Sequence, residues 1–144
     1  MAKSQPFAHG TTVPPEKTRM EIEQTLQRYG ATGFAFMSSA ERARIEFLAK
    51  QRRVRFDLVF PVAKASWERN KVEAETRRLW RAMLLGIKSK LEVVRSGISV
   101  FGDEFLAHIV MPDGSTVGEH VRPQIAESYK SGKVLALLPA GGAS

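Results

Sequence analysis

His9, His108 and His120 are the only side chains of this sequence that ordinarily titrate near neutral pH, because it contains no cysteine. Glu104 stands four residues before His108, with Asp103, Asp113, Glu119 and His120 close by. On a helix that spacing puts both side chains on one face, where they could share a divalent metal or pass a proton. No His-Glu-x-x-His or Asp-x-Asp pattern accompanies the pair, so the reading for His108 is a partly buried structural histidine. Without cysteine there is no thiolate nucleophile, no Cys-type zinc site and no disulfide framework. No glycine-rich phosphate loop follows a strand and no Gly-x-Ser-x-Gly elbow occurs. The residues therefore assign no catalytic site, no metal ligand and no cofactor, and the chain reads as a nonenzyme.

The other chemistry available is that of the cations. Lysine and arginine number 22 against 15 acidic residues, giving a net charge of +7 and a pI of about 10.1. Such a field attracts phosphate polyanions or an acidic protein surface. Arg77, Arg81, Lys88 and Arg95 fall within about 40° of one another at helical spacing, beside an apolar stripe. Lys50, Arg52 and Arg53 cluster in the run KQRRVRF. These seven are the candidate nucleic-acid-binding residues, as phosphate contacts, and no residue is nominated to read bases. The competing reading of each cluster is an ordinary solvated face.

Several elements must position these groups. Thr18 and Glu21 have capping-box spacing, and Ile22, Leu26 and Tyr29 form one face of a first helix that ends at Gly30. Phe34 and Phe36, then Ala43, Ile45 and Phe47, then Val54, Phe56, Leu58 and Phe60 alternate in three short strands. A two-residue turn at Lys50-Gln51 would put Phe47 opposite Val54 and Ile45 opposite Phe56. The same register sets Glu46 against Arg55 and Arg44 against Asp57, so two independent patterns select it. Lys-Gln is nevertheless poor chemistry for such a turn. Aromatic side chains of these strands face the core, so no base-stacking platform of the RNA-recognition type is expected.

From Trp67 to Ser96 the pattern is helical, with Val72, Thr76, Leu79, Met83, Ile87, Leu91 and Val94 on one face, Trp80 and Leu84 beside it, and Gly97 as terminator. A helix of about 30 residues spans about 45 Å, more than a three-stranded sheet covers, so part of it must pack on the C-terminal segment or on another chain. Phe101 to Val110 reads as a short helix with Phe101, Phe105, Leu106 and Ile109 on one side, a strand being the alternative. Pro112-Asp113-Gly114 is a turn. Thr116 and Glu119 open a final helix with the stripe Val121, Ile125 and Tyr129, ending at Gly132, in which Pro123 predicts a kink or a later start. Val134 to Leu138 is an apolar extended segment expected to dock on the core.

The whole is an α+β chain: helix, three-stranded antiparallel sheet, long helix, then a mainly helical C-terminal segment. It divides into a flexible leader over 1–13, a single domain over 14–139 and a flexible tail over 140–144. Neither a secretory signal nor a membrane-spanning run is evident, so a cytoplasmic protein without membrane attachment is expected.

The strings EIEQTLQRYGATGF, RRVRFDLVFP, LWRAMLLGIKSKLEVVRSGI and FLAHIVMPDGSTVGEHVRPQI resemble a group of small proteins from phages, prophages and mobile elements. That resemblance implies a viral or mobile-element setting and carries no site residues. The element order is also similar to the core of double-stranded-RNA-binding domains and, more loosely, of single-strand annealing recombinases. Ser66 to Lys71 is mixed in charge, unlike the Lys-rich motif those RNA binders place at the start of their second helix, which favours DNA over RNA. The expectation is a nonenzymatic nucleic-acid-binding protein acting in DNA replication, recombination or repair, able to form a homo-oligomer through the long helix. The alternative is an interaction protein that binds a partner with an acidic surface and inhibits or redirects a host or viral complex.

Overall fold

The structure, a computed structural model, describes residues 5–134, apart from the side chains of Ser66 and Trp67. Element order is α1 (Pro15–Tyr29), β1 (Thr32–Ser38), β2 (Arg42–Ala49), β3 (Arg52–Val59), α2 (Ser66–Arg95), a four-residue α3 (Phe101–Glu104), a 3-10 turn (Leu106–His108) and α4 (Val117–Ser131). The strands form one antiparallel sheet in the order β1-β2-β3. This is the α+β architecture read from the sequence.

The hairpin register is the one chosen by charge and hydrophobicity together: Phe47 pairs with Val54, Ile45 with Phe56, Glu46 with Arg55 and Arg44 with Asp57. A slip of one residue would send every apolar side chain to the solvent face. Lys50 and Gln51 both take positive φ, 51° and 62°. Two-residue hairpin turns need that left-handed backbone to match strand twist, and it disfavours side chains with a Cβ. Changing Lys50→Asn together with Gln51→Gly is therefore expected to raise stability by about 1 kcal/mol, read as a higher urea midpoint with unchanged slope. An unchanged or lowered midpoint would count against a strained turn.

α1 and α2 cover one face of the sheet and run in the same direction. Ile22 and Leu26 of α1, Ile45 and Phe47 of β2, Val54 and Phe56 of β3, and Trp80, Leu84, Ile87 and Leu91 of α2 make one core. The centre of the buried face of α2 is thus the Trp80, Leu84, Ile87, Leu91 row, while Leu79, Met83 and Val94 flank it half-buried. α1 begins earlier than the capping-box spacing predicts, with Pro14 at its N-cap. Proline is well suited to a helix start because its missing N–H is not needed there. Thr18 therefore lies inside the first turns, fully buried, and its Oγ1 accepts from the Arg81 guanidinium at 3.3 Å instead of capping. Gly30, with φ 106°, closes the helix as expected.

The segment after α2 departs from the expected helix at both its centre and its end. Phe101 and Phe105 are buried as predicted, but Leu106 is 52% exposed and the helix gives way at Phe105 to the 3-10 turn. Ile109 and Val110 are then extended: Ile109 bridges Val54, and the Val110 N–H donates to the Arg53 carbonyl at 2.9 Å. This strap covers the outer edge of β3. Competition decides the outcome, because free backbone groups on an edge strand offer hydrogen bonds that continued helix would forgo.

α4 starts at Val117 without delay, Thr116 Oγ1 accepting from the Glu119 N–H at 3.3 Å, and Pro123 sits within it. Only Gly118 of this helix is buried. Its predicted stripe does not reach the core: Ile125 is 42% and Tyr129 88% exposed. Val134 is exposed, and the rest of the expected docking segment, together with the tail, lies outside the described residues. Among the described residues no helix is long and apolar enough to cross a membrane.

Candidate nucleic-acid interface

The seven candidate cations separate into those tied into the fold and those left open. Arg81 donates to Glu21 at 2.7 Å as well as to Thr18, which binds α2 to α1. Arg77 Nε donates to the Thr11 carbonyl at 3.2 Å and so holds the segment before α1. Arg53, a candidate phosphate contact, donates to Glu46 at 2.9 Å. That carboxylate also accepts from Arg55 at 2.7 Å, so one acid serves two arginines. Partial burial pushes Glu46 up, but the hydrogen bonds from Arg53 and Arg55 outweigh it and hold the carboxyl below its ordinary value. Arg44, as expected, is neutralised by Asp57, its Nε 2.8 Å from the carboxylate.

Lys88 and Arg95 remain open, and the fold adds a cation of α1 to them. Arg28 faces them across a groove of about 660 Å³, lined also by Thr25, Ser89, Leu91, Glu92 and Val93. Neither Arg28 nor Lys88 has an ion pair within 4 Å among the described residues, and Arg95 has only Glu92 at 3.7 Å. Lys88 and Arg95 are two turns apart, about 10.5 Å along the helix. Close to this end, Lys50 lies 5.8 Å from the centre of the Tyr29 ring, which stacks on Phe101. Arg52 stays at the hairpin tip, bonded to the adjacent Gln51 carbonyl. Because α1 and α2 are parallel, Arg28 and Arg95, each in the last turn of its helix, also offset two negative helix ends at one side of the molecule. The missed signal was the parallel packing that brings Arg28 over α2, which no local spacing encodes.

His108 is half-buried, its ring stacked on Phe56 with centroids 4.1 Å apart. Burial, and then the charges of Lys90 and Arg122, hold its pKa below the ordinary value. A base whose folded pKa is depressed destabilises the fold once protonated. Its contribution is complete above the unfolded value near 6.5 and declines as pH falls through the folded value. The thermal midpoint of wild type is expected to fall between about pH 7 and 5 more steeply than that of His108→Gln, in scans at closely spaced pH. Parallel curves would mean that His108 is not buried against Phe56.

His120 takes part in a closer cluster. Ser115 Oγ lies 2.6 Å from both Asp113 Oδ1 and His120 Nε2, and Nε2 is 3.0 Å from Asp113 Oδ2. These are the residue types of a nucleophilic triad, but the geometry is different. A relay needs the imidazole between hydroxyl and carboxylate, one ring nitrogen on each, and here a single nitrogen serves both. The arrangement clips the turn before α4 shut, and hydrogen bonds from Ser115 hold the Asp113 carboxyl below its ordinary value. Among the described residues no group of three or more acidic or histidine side chains could hold a metal.

Comparison with protein-family profiles, curated proteins and solved structures finds no match to this chain.

Proposed function

We propose that this chain is a nonenzymatic nucleic-acid-binding protein of a phage or mobile element, acting in DNA replication, recombination or repair. The observation that carries this reading is the groove where Arg28, Lys88 and Arg95 converge with one carboxylate, Glu92, between them. A net positive groove on a chain of charge +7 suits a phosphate backbone, with Lys50 and Arg52 extending the cationic surface toward the hairpin tip. Contacts of this kind are independent of sequence.

The test is binding of labelled duplex and single-stranded DNA at several salt concentrations. Changing Arg28, Lys88 and Arg95 to Ser is expected to weaken binding on every sequence and to flatten the log–log salt slope by about two to three units, at roughly 0.7–0.9 per lost phosphate contact. Arg77→Ser with Arg81→Ser is expected to lower the thermal midpoint and leave the slope unchanged, since those guanidinium groups hold Thr11, Thr18 and Glu21. No wild-type binding at low salt, or an unchanged slope in the triple variant, rejects the groove.

A second reading, an interaction protein that inhibits or redirects a host or viral complex, is favoured by α4. Its exposed Ile125 and Tyr129 continue the side on which Gly118 is packed, so a protein partner could extend that contact. Co-purification with a host complex, combined with no DNA affinity, is the result that would select it.

A further inference from the structure

We infer that the free edge of β1 is an interface for a second copy of this chain, joined antiparallel about Ala35 so that two three-stranded sheets become one of six strands. The two edges of the sheet are treated differently within the chain. The β3 edge is covered by Ile109 and Val110, whereas among the described residues β1 pairs with β2 alone. Edge strands of monomers are usually guarded by charge, proline or a bulge; β1 reads TGFAFMS, with neither charge nor proline, and its bulge is confined to its first residues. Its one irregularity is a register shift between Thr32 and Ala35, where Gly33 has φ 63°.

Three layers of the molecule choose the same two-fold axis. In the strand itself, pairing about Ala35 sets Phe34 against Phe36 of the second copy, while the bulge leaves Thr32 outside the regular pairing. Both phenylalanines are only half-buried at the border of the core, so each would gain an aromatic neighbour. On the open face, Met37 meets Gly33 of the second copy. A Cβ at Gly33 would lie 2.8 Å from Leu48 Cδ1, so the missing side chain is what leaves Leu48 leaning over the strand, within reach of that methionine. Met37 is 59% and Leu48 41% exposed, and this contact would cover both.

The helix layer supplies charge complementarity. Arg19 sits over β1, its guanidinium 5.6 Å from the centre of the Phe36 ring, and neither Arg19 nor Glu23 has an ion pair within 4 Å among the described residues. At 1.5 Å per helical residue and about 3.3 Å per strand residue, the point midway between Arg19 and Glu23 lies about one strand residue from Phe36, over Ala35. A two-fold axis there brings each Arg19 to Glu23 of the second copy. This is an isologous contact that closes as a dimer.

Sedimentation velocity and single-cysteine crosslinking test this directly, because the chain has no cysteine of its own. Opposed antiparallel residues have Cα atoms about 4.5–5.5 Å apart, within the range a disulfide spans. Oxidised Ala35→Cys is expected to yield crosslinked dimer, and Leu85→Cys, on the outer face of α2, to yield none. Arg19→Glu alone and Glu23→Arg alone are each expected to weaken the dimer about tenfold, and an equimolar mixture of the two single variants to restore it as a heterodimer, which a contact within one helix would not do because each chain still carries a like-charged pair. A monomer at all concentrations, crosslinking through Leu85→Cys instead, or no heterodimer on mixing the two single variants would overturn the interface.

Discussion

Phe105→Ala is expected to lower stability by about 3–5 kcal/mol, a large part of the 5–15 kcal/mol that typically holds a domain of this size together. Phe105 is fully buried. Its ring meets Phe47 and Phe56 edge-on with centroids 6.1 and 6.2 Å away, lies 4.8 Å from Phe101, and has the Lys90 ammonium 5.9 Å above it. Alanine would remove the side chain that joins sheet, α2 and the C-terminal segment, and strands, which are hydrogen-bonded in ladders, cannot collapse into the space. Phe105→Leu, which fills most of that space, should lose about 1.5 kcal/mol or less. Urea denaturation followed by circular dichroism measures both. A loss below about 1 kcal/mol for alanine would show that the segment after α2 is not part of the core.

Arg55→Ala is the second large effect expected, about 2–4 kcal/mol. Arg55 is buried on the otherwise open face of the sheet, where its guanidinium donates to Glu46 at 2.7 Å and to the Gly114 carbonyl at 2.7 Å. Its removal leaves that carbonyl unpaired and frees the turn before α4 from the sheet. The loss stays below that of a wholly buried ion pair because Glu46 keeps Arg53. Arg44→Ala, which breaks a more exposed pair with Asp57, should change stability by less than about 1 kcal/mol. Equal losses for the two variants would argue against the link from Arg55 to Gly114.

The contrast between Arg55 and Arg53 also marks how far the sequence could be read. Strand alternation and cross-strand charge select one register, so Ile45, Phe47, Val54 and Phe56 could be placed, and with them the Arg55 and Arg44 partners. Arg53 looked free because its link to Glu46 is diagonal, and opposed-pair rules do not include diagonals. Thr18 looked like a cap because local spacing cannot tell a helix's start from its second turn when proline begins the helix. The stripe of α4 is a true amphipathic pattern, but periodicity says which side chains share a face and not whether anything covers them. Of the candidate site, Lys88 and Arg95 were legible from helical phase. Arg28 was not, since its place depends on how α1 lies against α2.

The strap at Ile109 and Val110 has a consequence for how the chain is made. The hairpin of β2 and β3 closes through a two-residue turn, so it can form as soon as it leaves the ribosome. Arg55 and Gly114, by contrast, are 59 positions apart, and the 30 residues of α2 are synthesised between them. At about 5–20 residues per second, the β3 edge stays open for several seconds of translation, longer than a hairpin needs to form. In that interval the edge groups later met by Ile109 and Val110 face solvent, and Arg52, which has no acidic partner among the described residues while Arg53 and Arg55 are held by Glu46, is the charge left to guard that edge.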